Sequence, residues 1–426
     1  MSYKEALHQY LNDFFGSFSV PVWDERLLPS IGGFLTQPDK NSAQTVYERC
    51  LNTYTDLVQD QDYVLGISPS LRKLSERMRE FEEQVAPTIP HHRDHYIHSV
   101  QVFLLGLAIY QRNSSFRDAA TKALDYPDSY SSPVAEFFHR WGLTALFHDI
   151  GYPVEIAYES IREYARFALV PDLGPPDQAL EKKPAPRIAH PVFSLTIQHL
   201  DNLLYINQLW PLPTKEERFF AKYPDYKSSL STDILVLLAG NLAQRLKTFG
   251  REPLATMLRD CLVQGMAQGN VDHGFLSAIV LLKWIGTLYL RSNWNPAYFY
   301  HSVVDAAAGI LLHNVYDYFL MQYPFNLGPL ILSVHPLGYL LMLCDRLQET
   351  DRPEYGFYAG GRHPSLKAAA LSISDSEFIM QFAASDPGVS VEDVSSTVDS
   401  CAESIRRVLD LERLFPTFRL EVAPTK

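Results

Sequence analysis

Cysteine is scarce and scattered. The four cysteines, Cys50, Cys261, Cys344 and Cys401, include no CxxC pair. That argues against a zinc ribbon or a disulfide framework and predicts a reducing, cytoplasmic setting. Basic charge is in deficit too: 37 Lys and Arg stand against 49 Asp and Glu, for a net charge of −12. A general nucleic-acid binder needs a basic surface for phosphate contacts, so that class is set aside. A small anionic substrate is not, because a bound cation supplies positive charge locally. No apolar run reaches the roughly 18–20 residues of a membrane span. DILVLLAGNLA and FLSAIVLLKWIG read instead as buried helices, and no membrane partner is expected. The opening MSYKEALHQYLNDFF carries acids and amides where a signal peptide needs an apolar centre. A Gly-rich phosphate loop of the P-loop type is missing, and so is any internal repeat.

What is present is helical periodicity. The 426 residues are enough for two or three domains. KEALHQYLNDFFGSF and PSLRKLSERMREFEEQV set an N-terminal helical region over residues 1–88. Apolar helices follow in HSVQVFLLGLAIY, PVAEFFHRWGLTALFHDI, DHGFLSAIVLLKWIGTLYL, HSVVDAAAGILLHNVYDYFL and HPLGYLLMLCDRLQE. These place a metal-binding domain at 89–355, broken by a large helical insertion at about 155–270. After residue 356, LKAAALSIS, EFIMQFAA and FRLEV read as short strands and VEDVSSTVDSCAESIRRVLDLERLF as an amphipathic helix. The fold expected is therefore mostly α, a helical bundle with a small C-terminal α+β appendage.

The chemistry centres on Phe147-His148-Asp149-Ile150-Gly151, at the end of a very apolar helix. A histidine and a carboxylate buried side by side are costly unless both are partnered. A metal ion satisfies both, since neutral imidazole and carboxylate are good ligands for first-row metals. His98, His273, His313 and Asp345 also sit at the edges of apolar helices. Taken singly, each reads equally well as a helix cap or a carbonyl partner. Five such positions in the order H…HD…H…H…D are harder to explain as caps.

That order, with HDIG and the late LCDRLQE, resembles the HD superfamily of metal-dependent phosphohydrolases over residues 91–350. The resemblance implies an HD-domain helical bundle. It implies that His98, His148, Asp149 and Asp345 hold one ion, and that Asp149 bridges to a second held by His273 and His313. His190 and His199 are rival ligands within the insertion. The tripeptide Gly151-Tyr152-Pro153 directly follows the HD pair, unlike the later GYP of the cyclic-dinucleotide hydrolases. Tyr152 also stands where many relatives carry lysine or histidine, and it offers a phosphate only a hydrogen bond. Glu155 reads as a surface acid, or as a partner for His148. Asp272 reads as a helix N-cap, or as a group orienting His273.

The expected cofactor is one or two divalent ions: Mn, Mg, Fe or another first-row metal. The expected partner is a small phosphorylated substrate, most plausibly a nucleotide. The reaction class is hydrolysis of a phosphoester by metal-activated water at Asp149, with Arg346 and Lys283 as substrate cations and Arg93 and Arg352 as further candidates. Two other classes share the ligand order: an HD-type di-iron oxygenase and a non-catalytic signalling module. The aromatic stretch Trp294, Tyr298, Phe299 and Tyr300 reads as core, or as a platform for a base.

Overall fold

A computed structural model describes residues 1–17, 25–57, 67–84, 94–124, 132–156, 234–246, 272–291, 298–349, 366–384 and 389–424. The described chain is mostly helical, with a three-stranded sheet near its C-terminus. None of its helices is long and apolar enough to cross a membrane.

Four segments form the centre: α5 (His95–Arg112), α7 (Pro133–Leu146), α10 (Val304–Val315) and α11 (Pro336–Glu349). In α5, α7 and α10 nearly every side chain is buried, as expected of helices that are apolar all round. Asp94 starts α5 by accepting from the Ile97 amide at 2.6 Å, and Ser132 caps α7, whose first residue is proline. α5 and α7 approach closely because Gly106 has no side chain. A Cβ there would lie 2.2 Å from the Trp141 ring, whose Nε1 donates to the Phe103 carbonyl.

Around this centre lie α1 (Tyr3–Ser17), α2 (Leu27–Thr36), α3 (Lys40–Leu57), α4 (Ile67–Gln84), α6 (Ser114–Leu124), α8 (Ile234–Leu246) and α9 (His273–Arg291). α8 lies within the stretch read from the sequence as an insertion, and it packs on α10. π-helical segments, Tyr298–Val303 and Tyr316–Leu320, bracket α10. Phe299 and Tyr300 are buried there and belong to the core.

The C-terminal unit matches the alternation read in its sequence. β1 (Leu366–Ile373) and β2 (Glu377–Ala384) are antiparallel, whereas β2 and β3 (Thr417–Val422) are parallel. The parallel pair needs a crossover, and α12 (Val391–Val408) provides it. Val394, Val398, Ala402, Ile405 and Val408 make the buried stripe of α12, while Phe378, Met380 and Phe382 alternate inward from β2. The unit is not isolated. α1 packs on β1, and the Tyr10 hydroxyl accepts from the Ile373 amide. The buried apolar side chains form one cluster from Tyr3 to Leu420.

Candidate metal centre

The His148-Asp149 pair does not lie inside α7 but in the turn after it. The helix stops at Leu146, and residues 147–151 turn before a short helical stretch at 152–156. Gly151 permits this turn to lie against α9. A Cβ on it would come within 2.5 Å of the Ser277 amide and 2.6 Å of the His273 carbonyl. The Ser277 hydroxyl accepts from the Gly151 amide at 2.8 Å and pins the turn in place.

Six side chains named from the sequence converge here. His98, from the first turns of α5, lies with Nε2 2.9 Å from Asp345 Oδ1 on α11. His148 Nε2 is 3.4 Å from Asp149 Oδ1 and 3.6 Å from Asp345 Oδ1. His273 Nε2 is 3.5 Å from Asp149 Oδ1. The rings of His148 and His313 are 5.4 Å apart, and those of His273 and His313 5.5 Å. The donor atoms form two groups sharing His148: His98, His148 and Asp345, and His148, Asp149 and His313, each spanning no more than 4.8 Å. Two ligands at right angles about one ion, each at roughly 2.1 Å, are about 3 Å apart, so the gathering has the right scale.

Hydrogen bonding selects the ligating form of two imidazoles. His148 Nδ1 donates to the Ala145 carbonyl at 2.8 Å, and His313 Nδ1 donates to the Ile310 carbonyl. Each Nε2 is thereby turned into the cluster, buried and without a hydrogen-bond partner. Burying a polar atom in that state costs about 1–3 kcal/mol, which a cation ligated by both nitrogens would offset. The residues therefore fit a metal. Partnering of the distal ring nitrogen is also what ligating histidines usually show.

The carboxylates make the cluster attract positive charge. Burial opposes protonation of His148, but Asp149 and Asp345 outweigh it and raise its pKa. Burial likewise opposes a charge on His273, yet the Glu155 hydrogen bond and Asp149 lift it to about 9. His313 goes the other way: burial, with His148 and His273 beside it, lowers it to about 4. Burial would raise Asp345, but the imidazoles of His148 and His98 beside it hold it well below the usual carboxylate range.

Other expectations are redistributed. Glu155 partners His273, not His148, accepting from Nδ1 at 2.9 Å. Asp272 caps α9 by accepting from the Phe275 amide at 2.8 Å, and it reaches His273 only through Asn314. Arg346 follows Asp345 in sequence, but its guanidinium turns away to Ser404 on α12 and to Asp317. Lys283 is ten residues beyond His273 along α9, about 15 Å along the axis, so it does not join the cluster. Tyr152 stacks on the buried His95, ring centroids 3.4 Å apart, and His95 Nδ1 is 3.1 Å from Glu82. Arg93, His190, His199, Trp294 and Arg352 lie outside the described residues.

A second buried constellation was not singled out from the sequence. Arg140 donates to Glu136 at 2.6 Å and to Asp305 at 3.4 Å, while Arg245 of α8 donates to Asp305 at 2.6 Å. Asp305 is held near a pKa of about 2: burial works against its charge, but Arg245, His335 and Arg140 outweigh it. The signal for it was an acid in the middle of an apolar run, VVDAAAGILL, and a Glu-Arg pair at i,i+4.

Comparison of the chain with protein-family models, with curated proteins and with solved structures finds no match.

Proposed function

We propose that this chain is a metal-dependent phosphohydrolase of HD type, acting on a phosphoester of a small, nucleotide-like substrate. One observation carries the reading. His148, from the turn after α7, and His313, from α10, present buried and unpartnered Nε2 atoms to a cluster that also holds Asp149 and Asp345. His98, His148, Asp149 and Asp345 would hold one ion, and Asp149, His273 and His313 a second. When bound, such ions supply Lewis acidity and a hydroxide nucleophile near neutral pH.

The chain's own residues do the rest. The carbonyls of Ala145 and Ile310 fix two imidazoles, and Glu155 fixes a third by accepting a hydrogen bond from His273 Nδ1. The buried walls of α5, α7 and α10 keep bulk water from the inner face of the cluster. Asp149 is the central group because it approaches both His148 and His273.

The oxygenase reading is the second one. It is favoured by neutral Tyr152 after the HD pair, by the turning away of Arg346 and by the distance of Lys283 along α9, which leave neither of these two cations at the cluster.

The test is a manganese-supplemented assay on nucleoside mono-, tri- and cyclic phosphates, beside an Asp149→Asn variant. Turnover that drops more than about 100-fold in the variant is expected, beyond what losing even an outer-shell partner costs. No hydrolysis by ion-loaded protein, with oxygen consumed by an iron-loaded sample, would overturn the hydrolase in favour of the oxygenase.

A further inference from the structure

The two ion positions are not equally ready. At the first, His148 Nε2 is buried and without a hydrogen-bond partner, and His98 Nε2 meets Asp345, itself one of the ligand set, at 2.9 Å. At the second, His313 Nε2 is open in the same way, but His273 Nε2 is not: the Asn314 side-chain amide sits 3.0 Å from it. His273 Nδ1 is committed to Glu155, so Nε2 is the only ring nitrogen left for an ion. The Asn314 amide occupies the direction that ion would need. This holds whichever way the amide is turned, since its NH2 would block a lone pair and its oxygen would hold a proton on Nε2.

The amide is held by its surroundings. Asn314 Nδ2 also donates to Asp272 Oδ1 at 3.4 Å, and Asp272 accepts from the Tyr318 hydroxyl. Gly274 lets the side chain lie against α9, because a Cβ there would come within 3.1 Å of Asn314 Nδ2. Asp272 also gives the amide somewhere to go: Asn314 can leave His273 and keep one hydrogen bond.

We propose that Asn314 is a gate on the second ion position, so that the protein loads one ion readily and admits the second only when the amide yields His273. The proposal rests on the reading of this cluster as a metal site. It makes Asn314 a positioning residue whose loss improves binding, the reverse of what a ligand or supporting partner would show.

Isothermal titration with Mn2+ alone tests it, on the full chain and on Asn314→Ala and Asn314→Ser, each checked for unchanged helical circular dichroism. The wild type is expected to bind two ions of unequal affinity. Both variants should tighten the second by about 10-fold, the lower end of outer-shell effects, and leave the first unchanged. Spin-coupled manganese pairs in the electron paramagnetic resonance spectrum should then appear at lower Mn2+ in the variants. Equal affinities in wild type and variants would overturn the gate while leaving the metal site standing. A weaker second ion in the variants would overturn it by making Asn314 a ligand or a support. No binding by the wild type would remove the metal site itself.

Discussion

Glu155 shows how much a single side chain's role depends on contacts that sequence does not display. In PVEI it is an ordinary acid with nothing to mark it as a partner of His273, but the turn after α7 brings it to 2.9 Å from His273 Nδ1. A carboxylate on the distal nitrogen of a ligand orients the ring and raises its basicity. Glu155→Gln keeps the shape but removes the charge, so Mn2+ affinity at the second position should fall by about 10–100-fold, read by titration. Unchanged affinity would mean that Glu155 does nothing for His273. The six converging residues were legible because each is a polar group at the end of an apolar helix, where burial without a partner is costly. Asn314 and Ser277 carried no such mark, being polar residues of common types, although Ser277 is fully buried, and Glu155 read as a surface acid or a partner for the wrong histidine. Arg346 misleads for a related reason: adjacency to Asp345 in sequence says nothing of direction, since neighbours on a helix diverge by about 100°.

On the scale of elements, α7, α10 and α11 work as a set. Arg140 of α7 meets Asp305 of α10, and His148, in the turn just beyond α7, lies beside His313, eight residues on from Asp305 along α10. The two helices therefore run in the same direction, and the ionic network sits about 12 Å, or two turns, from the candidate metal cluster. α11 joins the same order, with His335 near Asp305 at 3.7 Å and Asp345 near His148 at 3.6 Å. Asp305 thus locks the register of the helices that carry the ligands, and through Arg245 it ties α8 to them. Removing one member of a buried charge network leaves its partners unmatched, so Asp305→Asn should destabilise the fold by about 3–5 kcal/mol in urea unfolding. A loss below about 1 kcal/mol would show that the network does not hold these helices. The apolar helices and the strands were legible from their 3.6- and 2-residue periods. The end of α7 was not: PVAEFFHRWGLTALFHDI reads as helical to Ile150, yet the chain leaves the helix after Leu146 to bring Gly151 against α9. That is a tertiary contact overriding local pattern. The π-helical segments around α10 were hidden for the same reason.

For the whole molecule, the stretches read as an N-terminal region, a central bundle and an appendage share one apolar core. Tyr10 and Ser2 of the first stretch meet the sheet of the last. Stability should then be a property of the entire body, with an acid limit set by buried histidines. His139, His301 and His335 are each lowered to about 4, first by burial and in part by neighbouring Arg140, against an ordinary 6.5. They face Glu136, Asp305 and Arg245 as well. The unfolded chain takes up their protons below about pH 6.5 and the folded chain does not, so stability is full above that pH and drains away towards pH 4. Each group contributes a slope of up to about 1.4 kcal/mol per pH unit. Asp305, at about 2 against 3.8, adds its own loss only at lower pH. The urea midpoint followed from pH 7 to 4.5 should fall steadily, and less steeply in His335→Gln, with His313 shifted the same way as these three; a flat profile would contradict this. The central claim is that the helices assemble a metal site, and metal content tests it most directly. Protein purified without chelator should carry a first-row ion, rising towards two equivalents on titration, and His148→Ala and Asp149→Ala should lose it while staying helical. Wild-type protein that holds no ion and takes none up would contradict the account.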